Sequence, residues 1–578
     1  MAWRASPRAS LAITLLTVAS ALLPLVIAYL GKLIIDSVMA RAVDATIRFV
    51  VIELGLVAAQ AFVLRSLFLL RSLLGARLGH DVNVMILEKS LNLELRHFED
   101  AAFYDRLTRA RREASSRPVA MVSDTLQLVQ NIMTLAGYAL LLLAFSGWAV
   151  IGLVVAALPA TIAEMRFSNA AFRLRNWRSP DARRLNYVEY VLANDEHVKE
   201  VKIFGLGSTL LGRYKQLGER FYREDKDLAV KRSVWAYLLS LLATTAFYGC
   251  YGVMAVSAAR GLLSLGDLTL YVVAFRQGQQ AFQSCLTAIG SMYEHNLYMA
   301  NLFDYLAIPT RERSSPISVS QAGIVRERTG LRLEGVGFKY PGREGWALRG
   351  LNLDIPAGQS LALVGHNGAG KTTLIKLLCR LYDPTEGRIL LDGLNLAEWD
   401  EPTLRRRIGV VFQDFNQYQF SLRENVGFGS VEHLTDSERI ERAVERGGAQ
   451  ELVRDMKDGL ETALGRWFQD GVELSGGQWQ KVALARAFMR EEADILVLDE
   501  PTAALDAEAE HTIFERFRSL TQGKTAILIS HRFPTVRMAD RIVVIEHGEI
   551  KEQGTHATLV KAGGRYAQLF ELQAKGYL

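Results

Sequence analysis

Residues Gly365 to Thr372 read Gly-His-Asn-Gly-Ala-Gly-Lys-Thr, a full match to the P-loop pattern G-x-x-x-x-G-K-[ST]. In such a run the glycines let the backbone wrap closely around phosphate, with its N–H groups turned inward at the charge. Gly365, His366, Asn367, Gly368, Ala369 and Gly370 would form the cradle, and Lys371 would reach the β- and γ-phosphates. Thr372 would offer its hydroxyl to Mg²⁺, and Thr373 opens a helix whose N-terminus adds its dipole. The supporting elements are present on both sides: the apolar run Leu361-Ala362-Leu363-Val364 predicts a short buried strand, and Thr373 to Leu378 predicts a helix. Strand, loop and lysine-threonine pair together imply binding of a nucleoside triphosphate.

A second acidic group stands downstream. Ile495-Leu496-Val497-Leu498-Asp499-Glu500 is an apolar strand ending in two carboxylates, the Walker B pattern. Asp499 is placed to hold Mg²⁺ and Glu500 to polarise an attacking water. Two acids after a strand would mean little alone, but here they follow a complete P-loop. Leu474-Ser475-Gly476-Gly477-Gln478 then offers another backbone-donating turn ahead of a helix over Trp479 to Met489.

Length and composition bound the rest. At 578 residues the chain exceeds one ordinary core. Half of it is hydrophobic while 22% is charged, which implies segregation into a membrane part and a soluble part. The net charge of +5 is small for this length and argues against a nucleic-acid partner. Cys250, Cys285 and Cys379 have no metal or disulfide spacing and read as buried thiols.

Six apolar stretches, at about 10–35, 46–70, 127–145, 149–166, 234–258 and 268–290, predict six membrane-spanning helices. The first runs too long for a signal peptide and reads as a retained span. Connections after the second and fourth stretches are roughly 50–65 residues, charged and helical in period. Arg/Lys density in them places both in the cytoplasm, and an even number of spans places both termini there. The expected domains are a transmembrane part over 1–308, a linker over 309–330 and a nucleotide-binding part over 331–578.

These motifs resemble the ATP-binding cassette family, and the likeness covers essentially the whole chain. Leu474 to Gln478 looks like the family's signature motif, in which each ATP is sandwiched between one P-loop and the partner's signature. The resemblance implies ATP contacts from Ser475, Gly476, Gly477 and Gln478 of a second copy. Gln413 falls where the family has its Q-loop, which senses γ-phosphate and Mg²⁺. His531 matches the switch histidine at the γ-phosphate, and Asp506 the D-loop, with Ala503 where serine is frequent. Tyr340 matches the aromatic that stacks on adenine. Catalysis would then rest on Glu500, His531, Gln413 and Lys371, with Thr372, Gln413 and Asp499 at the metal.

The membrane half resembles the family's exporters, which implies an α-helical six-span domain with long cytoplasmic helix extensions, followed by an α/β P-loop ATPase domain with a helical subdomain. The segments His97 to Arg106 and Val198 to Gly205 would be its coupling helices, with Phe98, Phe103, Tyr104 and Phe204 meeting a partner surface. Intact motifs in one chain imply a homodimer that pumps a substrate outward through the bilayer. Short phrases around Phe103 and Gly471 to Gln480 are most similar to bacterial lantibiotic and peptide exporters. A lipid or drug exporter would share every motif, while an importer or a DNA-handling ATPase fits the fused spans less well. With the first span starting near residue 10, no peptidase domain is expected ahead of it, and a peptide cargo would then be matured elsewhere. Arg276, Gln280, Gln283 and Thr287 share one face of the sixth stretch, and Glu53 and Gln60 one face of the second. Polar residues within a span face a bundle interior or a water-filled path, which makes these candidate substrate-pathway positions.

Overall fold

The structure is a computed structural model that describes residues 6–100, 103, 107, 117–145, 147–310, 328–500, 521, 523–530 and 532–574. The chain divides into two compact units, one of residues 1–93 and 100–309, the other of residues 94–99 and 310–578.

Among the described residues, the regular elements of the first unit are all helices. Its long members are α1 (Pro7–Met39), α2 (Val43–Leu91), α4 (Arg117–Phe145), α5 (Gly147–Trp177), α8 (Leu206–Ala259) and α9 (Leu265–Leu306). Two short helices, α6 (Ser179–Ala193) and α7 (Asp195–Ile203), lie between α5 and α8, and a four-residue helix in the second unit, α3 (Leu95–Phe98), follows α2. At about 1.5 Å rise per residue, the 49 residues of α2 and the 54 of α8 extend to roughly 75–80 Å, well beyond a hydrocarbon core of about 30 Å. Their polar halves therefore continue as helix outside the apolar segment.

Among the described residues, four helices are long and apolar enough to cross a membrane: Pro7–Met39, Val43–Leu91, Arg117–Leu143 and Leu206–Ala259. The helix α9 falls short because Asp267, Arg276 and glutamines at 277, 279, 280 and 283 dilute it. It is ordered nonetheless by a Ser264–Asp267 capping box and by ties to α1, where Lys32 pairs with Asp267 at 2.6 Å and Asp36 accepts from the Gly266 N–H at 3.2 Å. Its buried face is Gly278, Ala281, Cys285 and Ala288, packed mainly on α4. Where α2 and α9 come together near their C-terminal ends, Leu78, Val82, Ile86, Met299, Leu302 and Tyr305 form a core into which Phe103 is also buried.

Burial of Phe103 corrects one expectation. It is 2% exposed and lies 6.1 Å from the Tyr305 ring, so it belongs to the helix core and presents no docking surface. Phe98 and Phe204 are exposed, and Tyr104 lies outside the described residues.

In the second unit, a mostly parallel six-stranded sheet of order β10-β9-β3-β8-β7-β6 lies beside an antiparallel four-stranded sheet of order β2-β1-β4-β5. The first is built from β3 (Ser360–Val364), β6 (Ile408–Val411), β7 (Ile495–Asp499), β8 (Thr525–Ile529), β9 (Arg541–Glu546) and β10 (Glu549–Gly554). The second comprises β1 (Gly330–Phe338), β2 (Leu348–Pro356), β4 (Glu386–Leu391) and β5 (Leu394–Asn395). Every residue of β7 and β8 is buried, as expected of parallel strands covered on both faces, which explains why they read as continuous apolar runs. The P-loop helix α10 (Lys371–Leu378) packs into the core shared by the two sheets. A separate helical core forms around Ile440, Val444, Leu452, Trp479 and Val482, drawn from Ser437–Gly447, Gln450–Asp455 and Gly476–Phe488.

Candidate functional site

Strand order assembles the site. In the parallel sheet Leu363 pairs with Ile529 and Asp499 pairs with Ile529 in register, so β3, β7 and β8 end at one edge. The P-loop leaves β3 at that edge, Asp499 and Glu500 leave β7, and Gln413 follows β6. Open α/β sheets hold ligands at this carboxyl edge, because helix N-termini and loop N–H groups converge there.

Two glycines show why the loop needs them. A side-chain carbon on Gly365 would stand 2.2 Å from the Ile545 carbonyl oxygen, so the loop lies directly on β9. Gly370, at φ 104°, caps α10, and a Cβ there would meet the Ala347 carbonyl at 2.6 Å.

Lys371 is 6% exposed and donates to the carbonyls of Gly365 (2.7 Å) and His366 (2.9 Å). Burial pushes its ammonium below the usual lysine range, against the pull of Glu500 and Asp499. The Thr372 hydroxyl donates to Asp499 Oδ2 at 3.0 Å. Asp499 is 1% exposed, and burial raises its carboxyl, with Glu500 and Asp414 adding to the rise and Thr372 and Lys371 opposing it. Glu500 adopts φ 51°, a left-handed conformation rare for a residue with a side chain, and its N–H donates to the Ile529 carbonyl at 2.9 Å. Its carboxylate accepts from Gln413 Nε2 at 3.0 Å.

These groups surround a cavity of about 600 Å³ lined by Tyr340, Asn367, Gly368, Gly370, Lys371, Thr372, Thr373, Gln413 and Glu500, all foreseen from sequence. Arg343, Gly345, Trp346 and Ala347 line it too and were not foreseen. They lie on the loop joining β1 to β2, and the sequence carries one hint of them, a tryptophan six residues after Tyr340. Tyr340 is set for the cavity by its hydroxyl, 3.0 Å from Thr373 Oγ1, and by edge-on contacts with Phe338 and Tyr382.

Other expected residues are placed differently. His366 is largely exposed and is paired with Arg565, away from the cavity lining, while Ala369 is buried beneath the loop. Ser475, Gly476, Gly477 and Gln478 are not among the cavity's lining residues. They open helix α11 (Gly476–Phe488), where Ser475 and Gln478 close a reciprocal capping box: the Gln478 N–H donates to Ser475 Oγ at 3.3 Å and the Ser475 N–H to Gln478 Oε1 at 2.9 Å. His531 and Asp506 lie outside the described residues.

The donor set fits Mg²⁺. The Thr372 hydroxyl, the Asp499 carboxylate and the Gln413 side-chain carbonyl are hard oxygen donors, and the buried Asp499 carboxylate would be stabilised by a cation. Among the described residues no three acidic, histidine or cysteine side chains converge as a metal cage, so phosphate and water would complete the coordination.

Comparison with known proteins accords with this geometry. Residues 348–503 match the ABC transporter family model. The chain is 30% identical over 557 residues to the subtilin transport ATP-binding protein SpaT of Bacillus subtilis, covering 96% of this chain and 90% of that one. It is 27% identical over 495 residues to the nisin transport ATP-binding protein NisT of Lactococcus lactis subsp. lactis, covering 86% and 82%. An ATP-dependent lipid A-core flippase of Ralstonia nicotianae is 33% identical over 500 residues, covering 84% and 82%. In fold, a bacterial Atm1-family ABC exporter solved with ATP bound superposes with a TM-score of 0.78 at 24% identity, over 99% of this chain and 98% of that one. This chain belongs to the ABC transporter family, as a multi-pass membrane exporter that couples ATP hydrolysis in its second unit to transport.

Proposed function

We propose that the chain is one half of a homodimeric pump with six spans per copy and both termini in the cytoplasm, and that its cargo is a peptide. The observation that carries the dimer is the division of the nucleotide site: the P-loop, Gln413 and Glu500 line one cavity, whereas Ser475 to Gln478 do not line it. A second copy would supply those four residues to the phosphates. Mg²⁺ held by Thr372, Asp499 and Gln413 would neutralise phosphate charge. Lys371 would bind the phosphates, Tyr340 the adenine, Glu500 would take the proton of the attacking water, and His531 and Asp506 would complete the site from outside the described residues. Two sandwiched nucleotides favour the closed arrangement because they contact both copies only there, and loss of the γ-phosphate removes that preference.

Mixing Lys371→Ala copies with Ser475→Arg copies tests the shared site. In a dimer whose sites form across the interface, the mixed species keeps one intact site and still closes on ATP, read as a spin-label distance change. A site formed within one copy leaves neither species able to close, and that result would sink the dimer reading.

The peptide reading is supported by the phrases near Phe103 and the signature, and by likeness to SpaT and NisT over most of the chain. A lipid substrate, as in the flippase relatives, is the alternative outcome of a screen for substrate-stimulated ATPase in proteoliposomes. The pathway assignment rests on α9, where Arg276, Gln280, Gln283 and Thr287 are all exposed opposite the buried Gly278–Ala288 face. Glu53 and Gln60 are half-buried on α2. Arg276 lies 11 residues from the start of α9 and Glu53 lies 10 from the start of α2, so both sit about 15 Å along their helices. Charged groups at that depth are costly against lipid and are tolerated along a polar path. We expect Arg276→Gln and Glu53→Gln to reduce stimulation by the cargo while basal ATPase is retained. Unchanged stimulation in both variants assigns these side chains to helix packing instead.

A further inference from the structure

Residues Glu94–Glu99, which follow the long helix α2, belong to the second unit. Leu95 packs against the core that contains α10. Glu99 is held by two donors: Lys376 Nζ lies 2.7 Å from its Oε1, and the Tyr382 hydroxyl 2.5 Å from its Oε2. Both donors bear on Tyr340. The Lys376 ammonium lies 5.5 Å from the Tyr340 ring centroid and 5.9 Å from that of Tyr382. The Tyr382 ring meets the Tyr340 ring edge-on at 5.6 Å, and Phe338 meets both, at 5.0 Å and 5.2 Å. Lys376 is only 22% exposed and Glu99 38%, so the pair is partly withdrawn from water and its charge-assisted bonds are not those of a freely solvated surface pair. Remove the carboxylate, and Lys376 and Tyr382 lose their common anchor while still touching Tyr340.

We propose that Glu99 is a positioning residue for the nucleotide base: through Lys376 and Tyr382 it sets the ring of Tyr340, so that the segment carried at the end of α2 and the bound adenine act on one another. The proposal rests on the reading of Tyr340 as the adenine platform. It differs from a purely adhesive contact in its consequence. A contact that merely anchored segment 94–99 within its own unit would have no effect on how tightly or selectively a base is held. Coupling through Tyr340 must also be reciprocal, so that a change in segment 94–99 changes nucleotide affinity and nucleotide changes the anchoring of the segment.

The test is steady-state ATPase of the full chain in nanodiscs, with ATP and with GTP. Glu99→Gln is expected to raise KM for ATP roughly three- to tenfold. The rate at saturating ATP should stay within about twofold, and the preference for ATP over GTP should narrow. In a Tyr340→Ala background, Glu99→Gln should add nothing further to KM. An unmoved KM and base preference in Glu99→Gln, or an equal increase with and without Tyr340, overturns the link while leaving Tyr340 as the platform. A Tyr340→Ala variant with unchanged KM removes the platform and the link together.

Discussion

Replacing Glu500 by glutamine should leave ATP binding near its original strength and lower turnover by about 10²–10⁴-fold, roughly 3–5 kcal/mol of barrier. The substitution keeps shape and volume and removes the negative charge, and with it the ability to accept a proton. Glu500 is held at a positive φ by a backbone bond to Ile529, and its carboxylate is oriented by Gln413 Nε2 at 3.0 Å. A residue kept in so rare a conformation and lining the same cavity as the P-loop is suited to act on water at a fixed place. Nucleotide binding is expected to persist because the P-loop, Thr372 and Asp499 are untouched. The measurement is single-turnover hydrolysis beside equilibrium ATP binding. Full turnover in Glu500→Gln would remove it as the base, and lost binding would show that its role is structural.

Lys371→Ala should abolish transport and weaken ATP binding by about ten- to a hundredfold, the loss of a charge-assisted contact to phosphate worth roughly 1.5–3 kcal/mol. The buried ammonium rests on the carbonyls of Gly365 and His366, where burial already lowers its affinity for its proton. Triphosphate would give it the anionic partner that those neutral carbonyls do not, which favours the charged form. Truncation to alanine removes that charge and also the two bonds to the loop carbonyls. Undiminished efflux from vesicles containing this variant would break the argued link between the nucleotide site and transport.

Legibility of the site in the sequence follows from how local each signal is. The P-loop, Asp499-Glu500 and Ser475-Gly476-Gly477-Gln478 are contiguous, because one loop or one helix start must present several groups at once. Arg343 and Trp346 were missed for the opposite reason. They reach the cavity only because the β1–β2 loop folds over the start of α10, which no spacing rule encodes. Phe103 was misplaced because an aromatic in a charged connection looks exposed until two helices some 200 residues apart, α2 and α9, close around it. Membrane spans divided in the same way. The long apolar run inside α1 announces itself, whereas α9 hides its packing face of Gly278, Ala281, Cys285 and Ala288 among glutamines and an arginine.

What the linear chain carries, then, is the local pattern: a P-loop, two acids at the end of an apolar strand, and apolar helices that accompany them. Those properties reside in residue types at short separations, where backbone geometry allows few alternatives. Which groups share a cavity, that His366 turns away toward Arg565 while Tyr340 turns in, and that Glu99 meets Lys376 across 277 positions of sequence, are decided by tertiary packing. Long-range contacts depend on strand order and helix ends meeting in three dimensions, and a one-dimensional pattern holds no record of that.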